Sequence, residues 1–243
     1  MARHIERVGE SVILYDDSLL SHRSEALFDP ASWPAAPAAP GYAGGRGNTL
    51  LIVHEEQQWV LRHYHRGGLI GRILNDEFLW WGQQRTRCFR EWLLLESLTE
   101  SGLPVPRPVA ARFVRRRFTY TADLITVRLP GVQSFSRRLA NAPVSARVWR
   151  SIGAMLARFH DALVFHADLT AHNIQIDGDD RPFLLDFDRG RIMPAHGRWI
   201  MANLRRLRRS LDKIARTDGI EFAAQQWNWL LEGYRGQHRG QCR

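Results

Sequence analysis

The chain has 243 residues, of which 44% are hydrophobic and 24% charged, a composition typical of a globular protein and unlike that of a disordered one. It has no apolar run of about 18 residues and begins without an apolar leader, so neither a transmembrane helix nor a secretory signal is expected. The two cysteines, Cys88 and Cys242, exclude a disulfide framework and a cysteine-based zinc site, and fit a reducing, cytosolic setting.

Positive charge is concentrated near the C-terminus. The formal net charge is +9, and 33 of the 34 basic residues are Arg, with Lys213 as the only Lys. Residues 189–243 hold 12 basic and 4 acidic residues, a net charge of +8, whereas residues 1–188 hold 22 and 21, a net charge of +1. A basic region indicates an anionic partner, but charge alone does not choose among nucleic acid, phospholipid and a phosphorylated substrate.

The first part of the chain reads as β structure. The apolar run Ser11–Tyr15 is a candidate strand, and the stretch 30–47, rich in Pro, Ala and Gly, predicts a loop. Two β-like segments follow at Thr49–His54 and Trp59–Tyr64, and the polar residues between them predict a hairpin connection.

One long helix and two further strands complete this predicted lobe. Apolar residues recur at helical spacing over Arg85–Ser101, and Gly102 is suited to end the helix. The segments Ala110–Phe118 and Ala122–Leu129 are then predicted strands, and Pro130–Gly131 is the predicted lobe boundary.

The rest of the chain is mostly helical in pattern. The predicted elements are helices at Ser145–Asp161 and Trp199–Ala215, and a hairpin that joins 174–177 to 183–186 across a GDD turn. The fold class is therefore predicted as α+β, with a β-rich first lobe that contains one long helix (residues 1–130) and a mostly helical second lobe (residues 131–243).

The motif that points to chemistry is H-x-D-x-x-x-x-N, which runs from His166 to Asn173 and is followed thirteen residues later by Asp186-Phe-Asp. Phosphoryl transfer from ATP needs a carboxylate near the acceptor hydroxyl, for which Asp168 is the candidate. It also needs oxygen ligands for Mg²⁺, for which Asn173 and Asp186 are candidates. The alternative is a polar loop with a capping Asp and a turn Asn. His166 itself is predicted to support the loop backbone.

The first lobe is then expected to hold the nucleotide. Gly44, Gly45 and Gly47 precede a predicted strand, where backbone amides can approach phosphates, although a flexible loop explains them equally well. Arg62 lies on the strand best placed for a phosphate-binding cation, and Glu91 in the long helix is its candidate ion-pair partner. An exposed strand Arg and an ordinary helix-surface Glu remain the alternatives.

Taken together, these residues resemble those of 3-deoxy-D-manno-octulosonic acid (Kdo) kinases. Those enzymes belong to the lipopolysaccharide core kinases, a branch of the bilobal protein-kinase-like fold. The resemblance covers about residues 44–233 and rests on six segments: GRGNT (45–49), LRHYHRGGL (61–69), GLPVPRP (102–108), HADLTAHNI (166–174), LLDFDRG (184–190) and NLRRLRRS (203–210). The H-x-D and D-F pieces are shared with other kinases, whereas LRHYHRGG and DFDRG point to this branch.

The resemblance implies ATP-dependent phosphorylation of a Kdo hydroxyl, expected to be the 4-hydroxyl, on Kdo-lipid A or its precursor in lipopolysaccharide core biosynthesis. It implies that Asp168 is the catalytic base and that Asn173 and Asp186 bind Mg²⁺. The expected location is the cytoplasmic face of the bacterial inner membrane, as a peripheral protein on an anionic surface. No nucleic acid is expected as a partner, and no protein partner is evident.

The sequence departs from the wider kinase pattern at three positions. Arg62 stands where Lys is usual, Asp188 replaces the Gly of D-F-G, and Thr170 stands where many kinases carry a Lys. Two alternatives therefore stay open: a small-molecule phosphotransferase of the aminoglycoside or choline type, and a degenerate kinase fold that binds anionic glycolipid or RNA.

Two clusters of arginines and a pair of tryptophans have more than one interpretation. Residues 115–117 (RRR) predict a solvated strand end or turn. Residues 205–209 (RRLRR) predict either a solvated helix face or a patch for lipid A phosphates or the membrane surface. Trp80 and Trp81 are candidates for core packing or for contact with a membrane interface.

Overall fold

The structure is a computed structural model that describes residues 2–20, 24–33, 49–54, 56–65, 76–220 and 222–240, with side chains up to residue 237. The chain divides into two compact units. Unit 1 comprises Met1–Ser101 and Pro106–Leu129, and unit 2 comprises Gly102–Val105 and Pro130–Arg243. Within the described residues, no helix is both long enough and apolar enough to cross a bilayer.

Unit 1 is built on one antiparallel sheet. Its strands are β1 (Arg3–Val8), β2 (Ser11–Asp16), β3 (Thr49–His54), β4 (Gln57–His63), β5 (Phe78–Leu79), β6 (Pro108–Arg116) and β7 (Thr119–Val127). Their order is β1-β2-β6-β7-β4-β3, and the short strand β5 also pairs with β7. Every residue of β2 is buried, whereas the edge strand β1 is almost fully exposed. The charged side chains of β1 protect this open edge from pairing with another chain.

One α-helix, α1 (Arg87–Glu100), lies in unit 1 and contacts β6 and β7. Its buried face includes Phe89, Trp92 and Leu95, which recur every three residues. A separate core cluster is centred on Trp59 of β4 and Ile13 of β2. Strand β4 and helix α1 are the elements that carry the two candidate nucleotide-binding side chains of this unit.

Unit 2 is mostly helical. Its helices are α2 (Phe135–Asn141), α3 (Ala146–Asp161), α4 (Arg198–Asp218) and α5 (Ala224–Gly240). Its short strands are β8 (Gln133–Ser134), β9 (Val164–Phe165), β10 (Ile174–Ile176), β11 (Pro182–Leu184) and β12 (Arg191–Ile192). They form two small sheets, β11-β10-β8 and β12-β9.

Helices α3 and α5 pack with their backbones in close approach at two glycines. A Cβ atom placed on Gly153 of α3 would lie 1.9 Å from the carbonyl oxygen of Leu230, and one on Gly233 of α5 would lie 2.0 Å from that of Arg150. Only glycine fits at both positions, since real Cβ atoms essentially never come within 3.0 Å of such atoms. Helix α3 ends at Asp161, and β9 begins three residues later at Val164.

The predicted α+β class is confirmed, with a β-rich unit that contains one long helix and a mostly helical unit among the described residues. The helices predicted at 85–101, 145–161 and 199–215 are α1, α3 and α4, with ends shifted by at most three residues. Strand β1 and helices α2 and α5 were not predicted. Strand β1 is polar on both faces, α2 has only seven residues, and two glycines interrupt the helical pattern of α5.

Two local predictions were wrong. The predicted loop from residue 30 begins instead with a short 3₁₀ helix, Pro30–Ser32, because the Asp29 side chain accepts a hydrogen bond from the backbone N–H of Ala31. The second strand of the predicted 174–186 hairpin ends at Leu184, before Asp186, because Asp186 adopts a left-handed backbone with φ +62°. The rest of the predicted 30–47 loop, residues 34–47, lies outside the described residues.

Candidate active site

The loop at residues 166–173 joins β9 to β10 in unit 2, and its first residue, His166, is buried. Nδ1 of His166 accepts a hydrogen bond from the backbone N–H of Asp168 (3.2 Å), and Nε2 donates to the carbonyl oxygen of Leu185 (2.9 Å). These two hydrogen bonds favour the neutral imidazole with its proton on Nε2, and burial lowers the pKa of His166. The prediction that His166 supports the loop backbone is confirmed.

Helix α4 holds the backbone of the same loop through two side chains. The buried amide of Asn203 accepts from the backbone N–H of His166 (3.2 Å) and donates to the carbonyl oxygen of the same residue (2.8 Å). Seven residues further along α4, the hydroxyl of Ser210 accepts from the backbone N–H of Ala171 (3.2 Å). This spacing places both side chains on one face of the helix, so α4 fixes the loop at its start and near its end.

Asp168 presents its carboxylate to solvent. Its side chain is 55% exposed, and its Oδ1 lies 3.0 Å from Nη1 of Arg206, which is 45% exposed. Arg206 comes from the same helix as Asn203, three residues later. Ion pairs with this exposure contribute little to stability, so Arg206 orients the carboxylate while leaving it accessible to a reactant.

Asn173 closes the loop and begins the β10–β11 hairpin. Its Nδ2 donates to the carbonyl oxygen of Asp168 (2.8 Å), which leaves the amide oxygen as the group that can serve a cation. Ile174 pairs with Leu184 in the hairpin, and the backbone N–H of Leu185 donates to the carbonyl oxygen of Asn173 (2.9 Å). The hairpin therefore returns the chain beside Asn173.

Asp186 therefore lies just after the second strand of the hairpin, at the same end of the hairpin as Asn173. It is half-buried and has φ +62°, in the left-handed region that Asp tolerates better than most residues. The next side chain, Phe187, is buried, and its ring centroid lies 4.9 Å from that of His166 and 5.8 Å from that of Phe159. Phe187 thus anchors the segment in the core while the backbone turns Asp186 out of it.

In unit 1 the central feature is an ion pair between β4 and α1. Nη2 of Arg62 lies 2.5 Å from Oε2 of Glu91, and the hydroxyl of Tyr64 donates to the same oxygen at 2.6 Å. The side chain of Glu91 is 3% exposed and that of Arg62 is 25% exposed. The ion pair that the sequence suggested is therefore present, and the guanidinium remains partly open to solvent.

Tyr64 was not predicted to belong to this group. The guanidinium carbon of Arg62 lies 4.7 Å from the Tyr64 ring centroid, within cation–π range. Burial, followed by the charge of Glu91, holds the pKa of Tyr64 well above its usual range, so its hydroxyl stays a hydrogen-bond donor. The candidate phosphate loop with Gly44, Gly45 and Gly47 lies outside the described residues.

His63, the residue after Arg62, belongs to a second charge network, which is centred on the buried Asp123. Nδ1 of His63 lies 2.7 Å from Oδ1 of Asp123 on β7, and the guanidinium of Arg112 on β6 bonds the other carboxylate oxygen at 2.8 Å. The hydrogen bond with Asp123 is the main cause of a raised pKa at His63, against the opposing effect of burial. Strand β4 is therefore tied to its sheet neighbour by charge as well as by backbone pairing.

Sequence reasoning missed Tyr64, Asn203, Arg206 and Ser210 as members of these groups. The arginines of α4 were predicted only as a solvated helix face or as a patch for lipid A phosphates or the membrane surface. The spacing of Asn203, Arg206 and Ser210, at i, i+3 and i+7, was an available signal, because it places three polar side chains on one face of a helix. Which loop that face meets could not be known before the chain was folded.

Comparison with known proteins gives one consistent result. Residues 33–234 match the model of a family described as "Lipopolysaccharide kinase (Kdo/WaaP) family". A Vibrio parahaemolyticus 3-deoxy-D-manno-octulosonic acid kinase is 40% identical over 207 residues, which cover 85% of this chain and 87% of that protein. Proteins of the same name from Stenotrophomonas maltophilia strain K279a (41% identity; 93% and 90% covered) and Vibrio cholerae (35%; 93% and 93%) are also similar.

Proposed function

The chain belongs to the lipopolysaccharide kinase (Kdo/WaaP) family, and from this membership we propose that it phosphorylates a hydroxyl of Kdo, expected to be the 4-hydroxyl. The acceptor is Kdo-lipid A or its precursor in lipopolysaccharide core biosynthesis. ATP is the phosphoryl donor, as membership of a kinase family implies. The observation that carries the proposal is the match of residues 33–234 to this family. The exposed carboxylate of Asp168, on a loop whose backbone is held by buried hydrogen bonds, supports it.

Asp168 is the proposed catalytic base. Its carboxylate accepts the proton of the acceptor hydroxyl as the hydroxyl oxygen bonds to the γ-phosphorus of ATP. The bond between that phosphorus and the bridging oxygen breaks, and ADP leaves with the electron pair. Proton transfer requires the carboxylate to stay within hydrogen-bond reach of the hydroxyl, and the contacts of Asn203 and Ser210 with the loop support such positioning.

Asn173 and Asp186 are the proposed ligands of Mg²⁺. The donor set fits this ion, because an amide oxygen and a carboxylate are the oxygen ligands that Mg²⁺ prefers. The hydrogen bond from Asn173 to the carbonyl oxygen of Asp168 commits the amide nitrogen and leaves its oxygen for a cation. When bound, the ion would neutralise charge on the phosphate oxygens of ATP.

Arg62 is the proposed phosphate-binding cation, in the place of the Lys that most kinases use. Its pairing with the nearly buried Glu91 supports this role, because the pair holds the guanidinium at a defined position on β4. In this proposal residues 1–130 bind the nucleotide, with Gly44, Gly45 and Gly47 at the phosphates. Residues 131–243 then carry the base, the metal ligands and the acceptor region.

The basic face of α4 is proposed to meet the anionic acceptor. Kdo is a sugar acid, and Arg206 beside the proposed base is exposed, as are Arg205, Arg208 and Arg209. Guanidinium groups bind carboxylates and phosphates through two parallel hydrogen bonds. We place the enzyme at the cytoplasmic face of the inner membrane as a peripheral protein, because its proposed acceptor is a lipid.

The test is a transfer assay with purified protein, ATP, Mg²⁺ and a defined Kdo-lipid A precursor, read by mass spectrometry of the product. We expect the acceptor to gain one phosphoryl group on Kdo. Soluble aminoglycosides and choline serve as competing acceptors. If the protein binds Mg-ATP but phosphorylates one of these and not the Kdo lipid, the acceptor assignment is wrong.

The base role is tested by Asp168→Asn, with Asp179→Asn as the matched control, because Asp179 is an exposed carboxylate in the β10–β11 turn of the same unit. We expect Asp168→Asn to lower kcat by roughly 10²–10⁴ while thermal stabilisation by Mg-ATP is retained. The control should have normal turnover. A loss of ATP binding as large as the loss of turnover would contradict a base role.

A further inference from the structure

The turn between β6 and β7 in unit 1 carries exposed side chains that the proposed chemistry does not use. Phe118 is 79% exposed, and Trp81 and Leu79 on the neighbouring segment are 70% and 52% exposed. Residues 115–117 are three consecutive exposed arginines. We call this set, Leu79, Trp81 and residues 115–118, the arginine–aromatic tip.

Pairing within the sheet brings the two parts of the tip together. Leu79 is paired with Thr119, and the backbone N–H of Trp80 donates to the carbonyl oxygen of Phe118 at 2.8 Å. Side chains along this segment alternate, so that Phe78 is buried, Trp80 packs on Phe113, and Leu79 and Trp81 are exposed. Large apolar side chains from the β6–β7 turn and from the segment of β5 therefore lie close to the arginines.

The residues of the β6–β7 turn are not those that favour a stable hairpin turn. Arg116 pairs with Thr119, which leaves Arg117 and Phe118 as a two-residue hairpin turn. Such turns favour Asn and Gly, because they require left-handed backbone, and Arg117 has φ +45°. A bulky Phe beside an Arg with left-handed backbone departs from this residue preference, and the departure brings no gain in packing. Such departures are expected at functional sites.

The tip carries a local excess of positive charge. Among the described residues, Glu77 is the one carboxylate within ion-pair distance of the three arginines, 3.8 Å from Arg116. The guanidinium of Arg115 lies 4.8 Å from the Trp80 ring centroid. This cluster is local, because residues 1–188 as a whole have a net charge of only +1.

We propose that the arginine–aromatic tip docks on the anionic surface of a phospholipid bilayer. Trp81 and Phe118 enter the boundary between headgroups and acyl chains, and the arginines bind lipid phosphates. A bilayer suits a patch of six residues, whereas a specific protein interface needs about 20–30 residues on each side. The proposal rests on the proposed function, in which the acceptor is carried by a lipid, and names the surface that meets that lipid's membrane.

The first experiment measures co-sedimentation of the full chain with vesicles that contain no acceptor. The vesicles are phosphatidylcholine alone or phosphatidylcholine mixed with phosphatidylglycerol, an anionic lipid whose surface attracts basic residues. The wild type is expected to bind the anionic vesicles and to be released by salt. Each arginine near such a surface contributes about a five-fold change in partitioning. Arg116→Gln should therefore reduce binding about five-fold, and replacement of all three arginines about 100-fold.

The apolar part is tested by Trp81→Ser combined with Phe118→Ser, which should reduce binding at least ten-fold. Matched controls on the same sheet are Arg7→Gln, an exposed Arg on β1, and Val53→Ser, an exposed apolar residue on β3. The controls should bind as the wild type does. All substituted side chains are exposed, so melting temperatures should be unchanged, and their measurement verifies folding.

The second experiment separates this proposal from the proposed function. Tip variants should phosphorylate a deacylated, soluble Kdo acceptor at the wild-type rate and lose turnover only on vesicle-borne acceptor. Tip variants that bind vesicles like the wild type overturn the docking proposal even if Kdo is phosphorylated. The docking proposal is also overturned if the tip instead binds single-stranded RNA or mediates self-association in the absence of vesicles. Vesicle binding without Kdo phosphorylation would instead contradict the proposed function.

Discussion

The close approach of α3 and α5 allows a sharp prediction. Replacing Gly233 with Ala would place a Cβ 2.0 Å from the carbonyl oxygen of Arg150 and 2.6 Å from its C and Cα atoms, where ordinary contacts are 3.4–4 Å. Relief of that contact needs a shift of about 1.4 Å between two helix backbones, the difference between 3.4 and 2.0 Å. The clash involves backbone atoms, so no side-chain rotation can relieve it.

The expected magnitude follows from two opposing effects. Overpacking costs about 1–3 kcal/mol, and a backbone clash belongs near the upper end of that range. Ala in a helix interior is better than Gly by about 1 kcal/mol. We therefore expect Gly233→Ala to lower the free energy of unfolding by about 2 kcal/mol.

Gly236 provides a matched control on the same helix. It is three residues away and exposed, and a Cβ there meets nothing within 4 Å. Gly236→Ala should stabilise the protein by about 0.5–1 kcal/mol, so the two substitutions should have opposite signs. Urea denaturation monitored by circular dichroism measures both. If Gly233→Ala is as stable as Gly236→Ala, the inferred close packing of α3 on α5 is wrong.

Three further predictions concern the charge networks and the loop anchor. Arg62→Ala should cost about 3 kcal/mol because it strips a cation from a nearly buried carboxylate, and adding Glu91→Gln should recover most of that loss in urea denaturation. His63→Gln should cost more at about pH 5.5 than at about pH 8.5. The hydrogen bond with Asp123 raises the His63 pKa, so its stabilisation is full below 6.5 and is lost as pH rises through the folded-state pKa. Equal costs at both pH values would contradict this. Asn203→Ala removes two buried hydrogen bonds, so the free energy of unfolding should fall by about 2–3 kcal/mol. In the transfer assay, kcat should also fall, with little change in KM.

The local elements were largely predictable because their signals lie within short stretches of chain. Helix α3 has a single apolar stripe that recurs at helical spacing, and it appears nearly where it was predicted. Helix α5 was not predicted because it contains Gly233. Glycine lowers the helix propensity of an isolated segment, but at this position it permits the close contact with α3. A glycine that is needed for contact with a distant helix thus weakens the local helical pattern from which helices are predicted.

The sequence by itself indicated the family, through its resemblance in segments such as LRHYHRGG (61–68) and DFDRG (186–190). It also indicated the candidate chemistry, because phosphoryl transfer demands particular residue types at short spacing, as in the segment from His166 to Asn173. It also suggested the ion pair of Arg62 with Glu91, whose role in nucleotide binding stays a prediction. Only the tertiary structure decided that α4 holds this segment through Asn203, and that a strained turn brings an exposed Phe118 beside the segment that carries Leu79 and Trp81. Those contacts join residues 37 or more positions apart, or depend on backbone conformation, and no local spacing in the sequence encodes either.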